Sequence, residues 1–189
     1  MDHSVSAVKV VVTGPRSVGK SSVSKALSRR LAFTYVSSDV LMDGLLDEYG
    51  GLDGAIQDCR QGLIQRVGLH VVKDVLYRHN VVFDLASGSL NSYGGKSRAD
   101  DVKDLLDSQD VRVVALLPFE DSERSVEHLL RRERDRDHFE GWTDDKLRAK
   151  VSSDYTALEN VLPEVADDVV YTGTDGVSGV VGRVVQRLE

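Results

Sequence analysis

The segment Gly14-Pro15-Arg16-Ser17-Val18-Gly19-Lys20-Ser21 constrains the fold more than any other stretch of the chain. Its spacing is G-x-x-x-x-G-K-S, in which glycines let the backbone turn so that successive N–H groups point inward. The valine-rich run 8–12 before it predicts a buried strand, and residues 22–31 after it predict a helix with one apolar face. Strand, loop and helix in this order predict a phosphate-binding loop.

The residues of this loop have distinct predicted roles. The Lys20 ammonium group is expected to reach the outer phosphates of a nucleotide, and the Ser21 hydroxyl is expected to coordinate Mg²⁺. The unpaired N–H groups and the positive dipole end of the following helix add to the same site. The predicted nucleotide-binding residues are Gly14, Pro15, Arg16, Ser17, Val18, Gly19, Lys20, Ser21 and Ser22.

Two aspartates follow apolar runs that predict strands. Asp39 comes shortly after the run 33–36, and Asp84 ends the run 80–84. Ligands of open α/β sheets bind at the carboxyl ends of the strands, so Asp39 is predicted to face the acceptor of a phosphoryl group. The alternative is that Asp39 only caps a helix over residues 40–49. Asp84 is predicted to hold Mg²⁺ directly or through water.

Arginines are concentrated in residues 131–136. Next to a phosphate-binding loop they predict a lid, at about 131–142, in which Arg132, Arg134 and Arg136 stabilise the transferring phosphoryl group. The alternative is a solvated helix end whose arginines pair with the interleaved acids. The turn at 172–176 is placed to pack on an adenine through Thr174 and Asp175, although a simple strand-to-helix turn would have the same sequence.

Predicted strands at 8–12, 33–36, 80–84, 111–117 and 168–172 alternate with predicted helices. This order predicts an α/β fold with three layers, in which helices cover a five-stranded parallel sheet. Glycines at 50–54 predict a break before a long helix at 61–78, and we expect the acceptor to bind within about 39–79. Nothing in the 189 residues requires more than a single domain.

The composition excludes several classes of partner. A formal net charge of −7 argues against nucleic-acid binding, and no apolar run is long enough to span a membrane. A single cysteine, Cys59, cannot form a disulfide within the chain, which favours a reducing, cytoplasmic location. We expect Cys59 to be a small buried residue, and the protein to be a monomer or a homodimer.

The order of these motifs resembles the small P-loop kinases of the shikimate kinase and gluconate kinase type. The resemblance rests on the loop at 14–21, the strand end at 35–39, the arginine-rich segment and the ending at 169–176. It implies that Asp39 matches the aspartate with which shikimate kinases contact their substrate. Ser37 stands where those enzymes have an aspartate that assists Mg²⁺, which assigns the metal to Asp84. The stretch 134–139 looks like the gluconate kinase lid.

The phosphate-binding loop, the two aspartates and the resemblance together predict an enzyme that uses ATP and Mg²⁺ to phosphorylate a hydroxyl of a small polar or anionic metabolite. One alternative is a nucleoside or nucleotide kinase, which shares the fold and the lid. Another is a non-catalytic, nucleotide-binding regulatory protein. A GTP switch is disfavoured, because the segment Asp84-Leu85-Ala86-Ser87-Gly88 is one residue too long for D-x-x-G and no N-K-x-D motif is present.

Overall fold

The computed structural model describes residues 9–90, 96–135, 139 and 141–189. Their strands form one parallel sheet in the order β2-β3-β1-β4-β5. The strands are β1 (Lys9–Thr13), β2 (Thr34–Ser37), β3 (Val81–Asp84), β4 (Arg112–Leu117) and β5 (Asp168–Tyr171). Strand β1 is buried along its whole length, as is typical of a central strand covered on both faces.

The helices connect these strands in the predicted alternation. They are α1 (Lys20–Leu31), α2 (Ser38–Leu45), α3 (Gly51–Gln57), α4 (Gln61–Leu76), α5 (Lys96–Asp107), α6 (Ser122–Arg134), α7 (Asp144–Glu159), α8 (Leu162–Val165) and α9 (Val177–Leu188). Right-handed crossovers place α1 on one face of the sheet, because the chain moves from β1 outward to β2, and the helices after β2, β3 and β4 on the other. Helix α9 packs beside α1. The three-layer α/β fold is therefore confirmed.

Two predictions of secondary structure differ from the structure. Helix α2 begins at Ser38 instead of residue 40, and its N-cap is Ser37, whose hydroxyl accepts a hydrogen bond from the Val40 N–H at 3.5 Å. Asp39 therefore lies in the first turn and is not the capping residue. The glycine-rich region also forms helix α3, because Gly50 and Gly51 adopt positive φ angles and turn the chain before the helix rather than interrupting it.

The order of the strands determines where a ligand can bind. Strand β1 lies beside β4, and the chain leaves β1 toward β2 on one side of the sheet and leaves β4 toward β5 on the other. The loops after these two strands diverge, which opens a crevice at their carboxyl ends. The glycine-rich loop that follows β1 lies at this position.

Cys59 is exposed rather than buried, contrary to the expectation from its residue type. It lies in the turn between α3 and α4 and adopts a left-handed backbone conformation, with φ of 54°. Within the described residues no helix is both long and apolar enough to cross a bilayer.

Candidate functional site

The loop between β1 and α1 contains three residues whose φ angles are positive. These are Gly14 at 145°, Ser17 at 63° and Gly19 at 106°. Gly14 packs directly on β4, where a Cβ atom would collide with the main-chain carbonyl of Leu116. Only glycine fits this position, so β4 determines the course of the loop.

The amino end of α1 opens onto this loop. The helix starts at Lys20 after Gly19, no side chain caps it, and its first turn contains no acidic residue. The Lys20 Nζ atom donates a hydrogen bond to the Pro15 carbonyl oxygen at 3.0 Å, across the loop. The ammonium group and the uncapped amino end of the helix thus lie at the same loop, an arrangement suited to binding phosphate.

The remaining predicted loop residues divide by exposure. Pro15, Ser17 and Val18 are buried, and Val18 belongs to the hydrophobic core. Arg16, Ser21 and Ser22 are exposed. Exposed hydroxyls at the start of α1 can reach a ligand, whereas the buried members fix the shape of the loop.

Asp84 ends β3 beside this loop. Its side chain is only 4% exposed, and it lies in register with Val12 of β1 and Ser37 of β2. The Tyr35 hydroxyl donates a hydrogen bond to Asp84 Oδ2 at 3.2 Å. Burial raises the pKa of Tyr35, and the Asp84 carboxylate raises it further, so the phenol remains a donor at neutral pH. Hydrogen bonding to Ser37 and Ser21 opposes this pKa shift, which places Ser21 in the same cluster.

Asp39 belongs to this cluster through its charge environment. Burial is the largest cause that raises the pKa of its carboxyl group, and the negative charges of Asp84 and Asp43 add to the effect. The positive charges of Lys20 and Arg16 lower the same pKa. Neighbouring segments crowd the carboxyl group, although part of the residue's surface remains exposed. A carboxylate with a raised pKa and an exposed surface, under the charge of a lysine, can serve as a general base.

The donor set fits a magnesium ion. A Ser21 hydroxyl and an Asp84 carboxylate supply oxygen ligands, which Mg²⁺ prefers, and nucleotide phosphates and water usually complete its coordination. Within the described ranges no three His, Cys, Asp or Glu side chains are grouped to hold a metal.

The predicted lid arginines have different surroundings. Arg134 pairs with Asp144 at the start of α7, through Nε to Oδ1 at 3.1 Å and Nη2 to Oδ2 at 3.0 Å. The partner belongs to the next helix and is not one of the acids interleaved with the arginines, so this pair differs from the alternative that the sequence left open. Arg132 is half-buried, and its charge lowers the pKa of His128, although burial is the larger cause. Arg136 lies outside the described residues.

The acidic residue between these arginines was missed by sequence reasoning. Glu133 is buried, and its Oε1 atom accepts a short hydrogen bond from the Ser17 hydroxyl and lies 3.3 Å from Nε of Arg16. A signal for it existed, because Val126, Leu129 and Leu130 lie on one face of α6 and Glu133 continues their i, i+3, i+4, i+7 spacing. A glutamate on an apolar stripe is expected to be buried and to have a partner.

The turn predicted to contact adenine lies at the same edge of the sheet. Its backbone is bonded to the end of β4, from Thr172 N to the Leu117 oxygen and from Gly173 N to the Pro118 oxygen, each at 2.7 Å. Thr174 and Asp175 are exposed, and the Asp175 carboxylate accepts a short hydrogen bond from Arg183 of α9. The turn is thus fixed next to the strand on which Gly14 packs.

Comparisons with known proteins show the fold. No family model matches the chain, and no curated protein matches it in sequence. A shikimate kinase from Bacteroides thetaiotaomicron superposes with a TM-score of 0.77 at 17% identity, over 96% of this chain and 98% of that one. A shikimate kinase from Acinetobacter baumannii, in complex with shikimate, gives 0.70 at 17% identity, over 95% and 92% of the two chains.

A gluconokinase from Sinorhizobium meliloti 1021 superposes with a TM-score of 0.51 at 17% identity, over 96% of this chain and 95% of that one. The likeness to both groups extends over almost the whole of each chain. The chain therefore has the fold of the small P-loop kinases of the shikimate kinase and gluconate kinase type, as its motifs predicted.

Proposed function

We propose that this protein is a kinase that transfers the γ-phosphoryl group of ATP to a hydroxyl of a small polar or anionic metabolite. One observation carries the proposal. Lys20, Asp84 and Asp39 come from three separate segments that follow or end strands β1, β3 and β2 at the carboxyl edge of the sheet, and the charges of Lys20 and Asp84 both act on the Asp39 carboxyl group. A phosphate-binding loop alone would need no carboxylate of the kind that Asp39 supplies.

Each residue has a role in this reaction. The Lys20 ammonium group and the N–H groups of the loop hold the phosphates and neutralise charge on the oxygens of the transferring group. Ser21 and Asp84 would hold Mg²⁺, which would supply positive charge to neutralise the phosphates. Asp39 orients the acceptor hydroxyl and takes its proton as the new O–P bond forms and the bond from the γ-phosphorus to the β,γ-bridging oxygen breaks. The products are ADP and the phosphorylated metabolite.

The arginines at 132, 134 and 136 remain candidates for stabilising the phosphoryl group. The pair between Arg134 and Asp144 is exposed on both sides, so its net free energy is small, about 0–1 kcal/mol. Such a pair can be exchanged for contacts to a phosphate at little cost.

The test is an ADP-release assay with MgATP and a panel of acceptors that includes shikimate, gluconate, nucleosides and nucleoside monophosphates. We expect a polyhydroxylated or anionic metabolite to stimulate release. Lys20→Ala should reduce turnover by at least about 100-fold, because the charge on the outer phosphates is lost. Arg30→Ala, an exposed change in the last turn of α1, is the matched control and should keep wild-type turnover.

Other outcomes separate the alternatives. Stimulation only by nucleosides or their monophosphates would identify a nucleoside or nucleotide kinase. Slow ATP hydrolysis that no acceptor stimulates would favour a nucleotide-binding regulatory protein. Full phosphoryl transfer by the Lys20→Ala variant would contradict the assignment of the loop.

A further inference from the structure

Glu133 connects α6 to the phosphate-binding loop. Only 2% of its side chain is exposed, and both of its loop contacts, from the Ser17 hydroxyl and from Nε of Arg16, meet on the same oxygen, Oε1. Its second oxygen, Oε2, is buried without a hydrogen-bond partner among the described residues. Arg16 also places its guanidinium group 5.2 Å from the centre of the Phe139 ring.

This arrangement is costly for stability. A buried carboxylate with one unpartnered oxygen loses hydration that its contacts only partly replace, and buried ion pairs often stabilise a fold no better than apolar side chains of similar size. A leucine at position 133 would continue the apolar stripe formed by Leu129 and Leu130. Packing therefore does not explain why a glutamate occupies this position.

The conformation of Ser17 supplies a physical reason. Ser17 has a φ of 63°, in the left-handed region that residues other than glycine seldom occupy because it is strained for them. Such a residue keeps this conformation only where its surroundings hold it there. The Ser17 hydroxyl donates a hydrogen bond to Glu133, and this contact can hold it there.

We propose that Glu133 is a positioning residue that holds Ser17 in its left-handed conformation and so fixes the inward direction of the loop N–H groups that bind the nucleotide phosphates. Gly14 packs on β4, and α6 is the helix that directly follows β4 in the chain. The loop is therefore contacted both by this strand and by the helix after it. Glu133 acts through the loop and does not touch the phosphates. The inference rests on the proposed function in taking a nucleotide as the ligand.

The test measures the dissociation constant of MgADP, without acceptor, alongside the free energy of unfolding of the unliganded protein. Glu133→Leu removes both loop contacts while keeping the side chain's bulk, and we expect about tenfold weaker MgADP binding with little loss of stability. Glu127→Leu is the matched control, because it makes the same change on the exposed face of α6, where Glu127 pairs with Arg148. The control should bind MgADP as the wild type does.

A second substitution tests whether Glu133 affects nucleotide binding through the conformation of Ser17. Glycine adopts positive φ without support, so adding Ser17→Gly to Glu133→Leu should recover most of the lost MgADP affinity. A purely structural role for Glu133 would give no such recovery. Unchanged MgADP affinity in Glu133→Leu, or weakened affinity that Ser17→Gly does not restore, would overturn the inference.

Three further outcomes are decisive. If Glu133→Leu does not fold, Ser17→Ala removes the hydroxyl donor and leaves Glu133 in place; it should weaken MgADP binding, and unchanged affinity overturns the inference. A wild-type protein that binds MgADP but phosphorylates no acceptor would contradict the proposed kinase and leave this inference standing. A wild-type protein that does not bind MgADP would overturn both.

Discussion

At the scale of single residues, the loop depends on backbone conformations that most side chains disfavour. Gly14 is the most constrained position, because its φ of 145° and its contact with the Leu116 carbonyl both exclude a Cβ atom. Gly182 in α9 is the opposite case, since a Cβ atom there would meet nothing within 4 Å.

We predict that Gly14→Ala lowers the free energy of unfolding by about 2–4 kcal/mol, because either the loop or β4 must shift. Gly182→Ala should raise it by about 0.5–1 kcal/mol, because alanine favours helix. Urea denaturation of both variants measures the difference. Equal stabilities would show that the loop tolerates a side chain at position 14.

The Asp39 carboxyl group has a pH-dependent effect on stability. Burial, together with the charges of Asp84 and Asp43, raises the pKa of this carboxyl group above its ordinary value, so the folded protein holds this proton to higher pH than the unfolded chain. A carboxyl group with a raised folded pKa contributes stability below its unfolded pKa, and this contribution is lost as pH rises through the folded pKa.

Asp39→Asn should therefore make the unliganded protein more stable at pH 7, and the gain should shrink as pH falls through the folded pKa. Acceptor-dependent ADP release should be lost in the same variant, because the amide cannot take a proton. Urea denaturation at pH 7 and pH 4 measures the first effect. Asp101→Asn, an exposed change on α5, is the control. A gain in stability that does not depend on pH would show that burial does not raise the pKa of this carboxyl group.

At the scale of elements, α6 matters because it carries Glu133 to the loop. Its amino end is fixed by Asp121, whose Oδ1 atom accepts a hydrogen bond from the Arg124 N–H at 2.6 Å. The Ser125 hydroxyl bonds to the main chain of Phe119 and ties the helix to the end of β4. The position of Glu133 is thus determined about three turns away, where the helix begins.

We predict that Asp121→Ala costs about 1 kcal/mol of stability, the usual value for a lost N-cap. The neighbouring exposed substitution Glu120→Ala should change stability by less than about 0.5 kcal/mol. Thermal denaturation of the two variants, side by side, measures this difference. Equal melting temperatures would show that the cap does not hold the helix.

At the scale of the whole molecule, the site exists only where several chain segments meet. The loop follows β1, Asp84 ends β3, Asp39 follows β2 and the turn at 172–176 follows β5. Because all these strands are parallel, their carboxyl ends share one edge. A ligand at that edge needs these segments together and so binds only the folded chain, which couples its binding to global stability.

MgADP at 100 times its dissociation constant should therefore stabilise the wild type by about 2.7 kcal/mol, from mass action alone. Lys20→Ala should lose most of this gain at the same MgADP concentration. Adenosine, which lacks phosphates, should stabilise either protein far less. Thermal-shift and denaturant measurements check this, and equal stabilisation by adenosine and MgADP would show that the phosphates are not the part that is bound.

Local sequence patterns were sufficient to predict the five strands, most of the helices and the glycine-rich loop. Strand-forming valines, amphipathic spacing and the G-x-x-x-x-G-K-S motif depend on residues close together in the chain, and the physics of a strand, a helix or a glycine turn is local. Residue type alone did not predict the exposure of Cys59, and glycine content did not predict helix α3.

The sequence by itself determined that strands and helices alternate and that a glycine-rich loop with a lysine follows the first strand. Only the tertiary structure decided that β1 lies between β3 and β4, which puts Asp84 in register with Val12 and the Asp39 carboxyl group under the charge of Lys20. It also decided that the buried Glu133 contacts the loop. The physical reason is that long-range contacts depend on where segments from different parts of the chain meet, which no local pattern encodes.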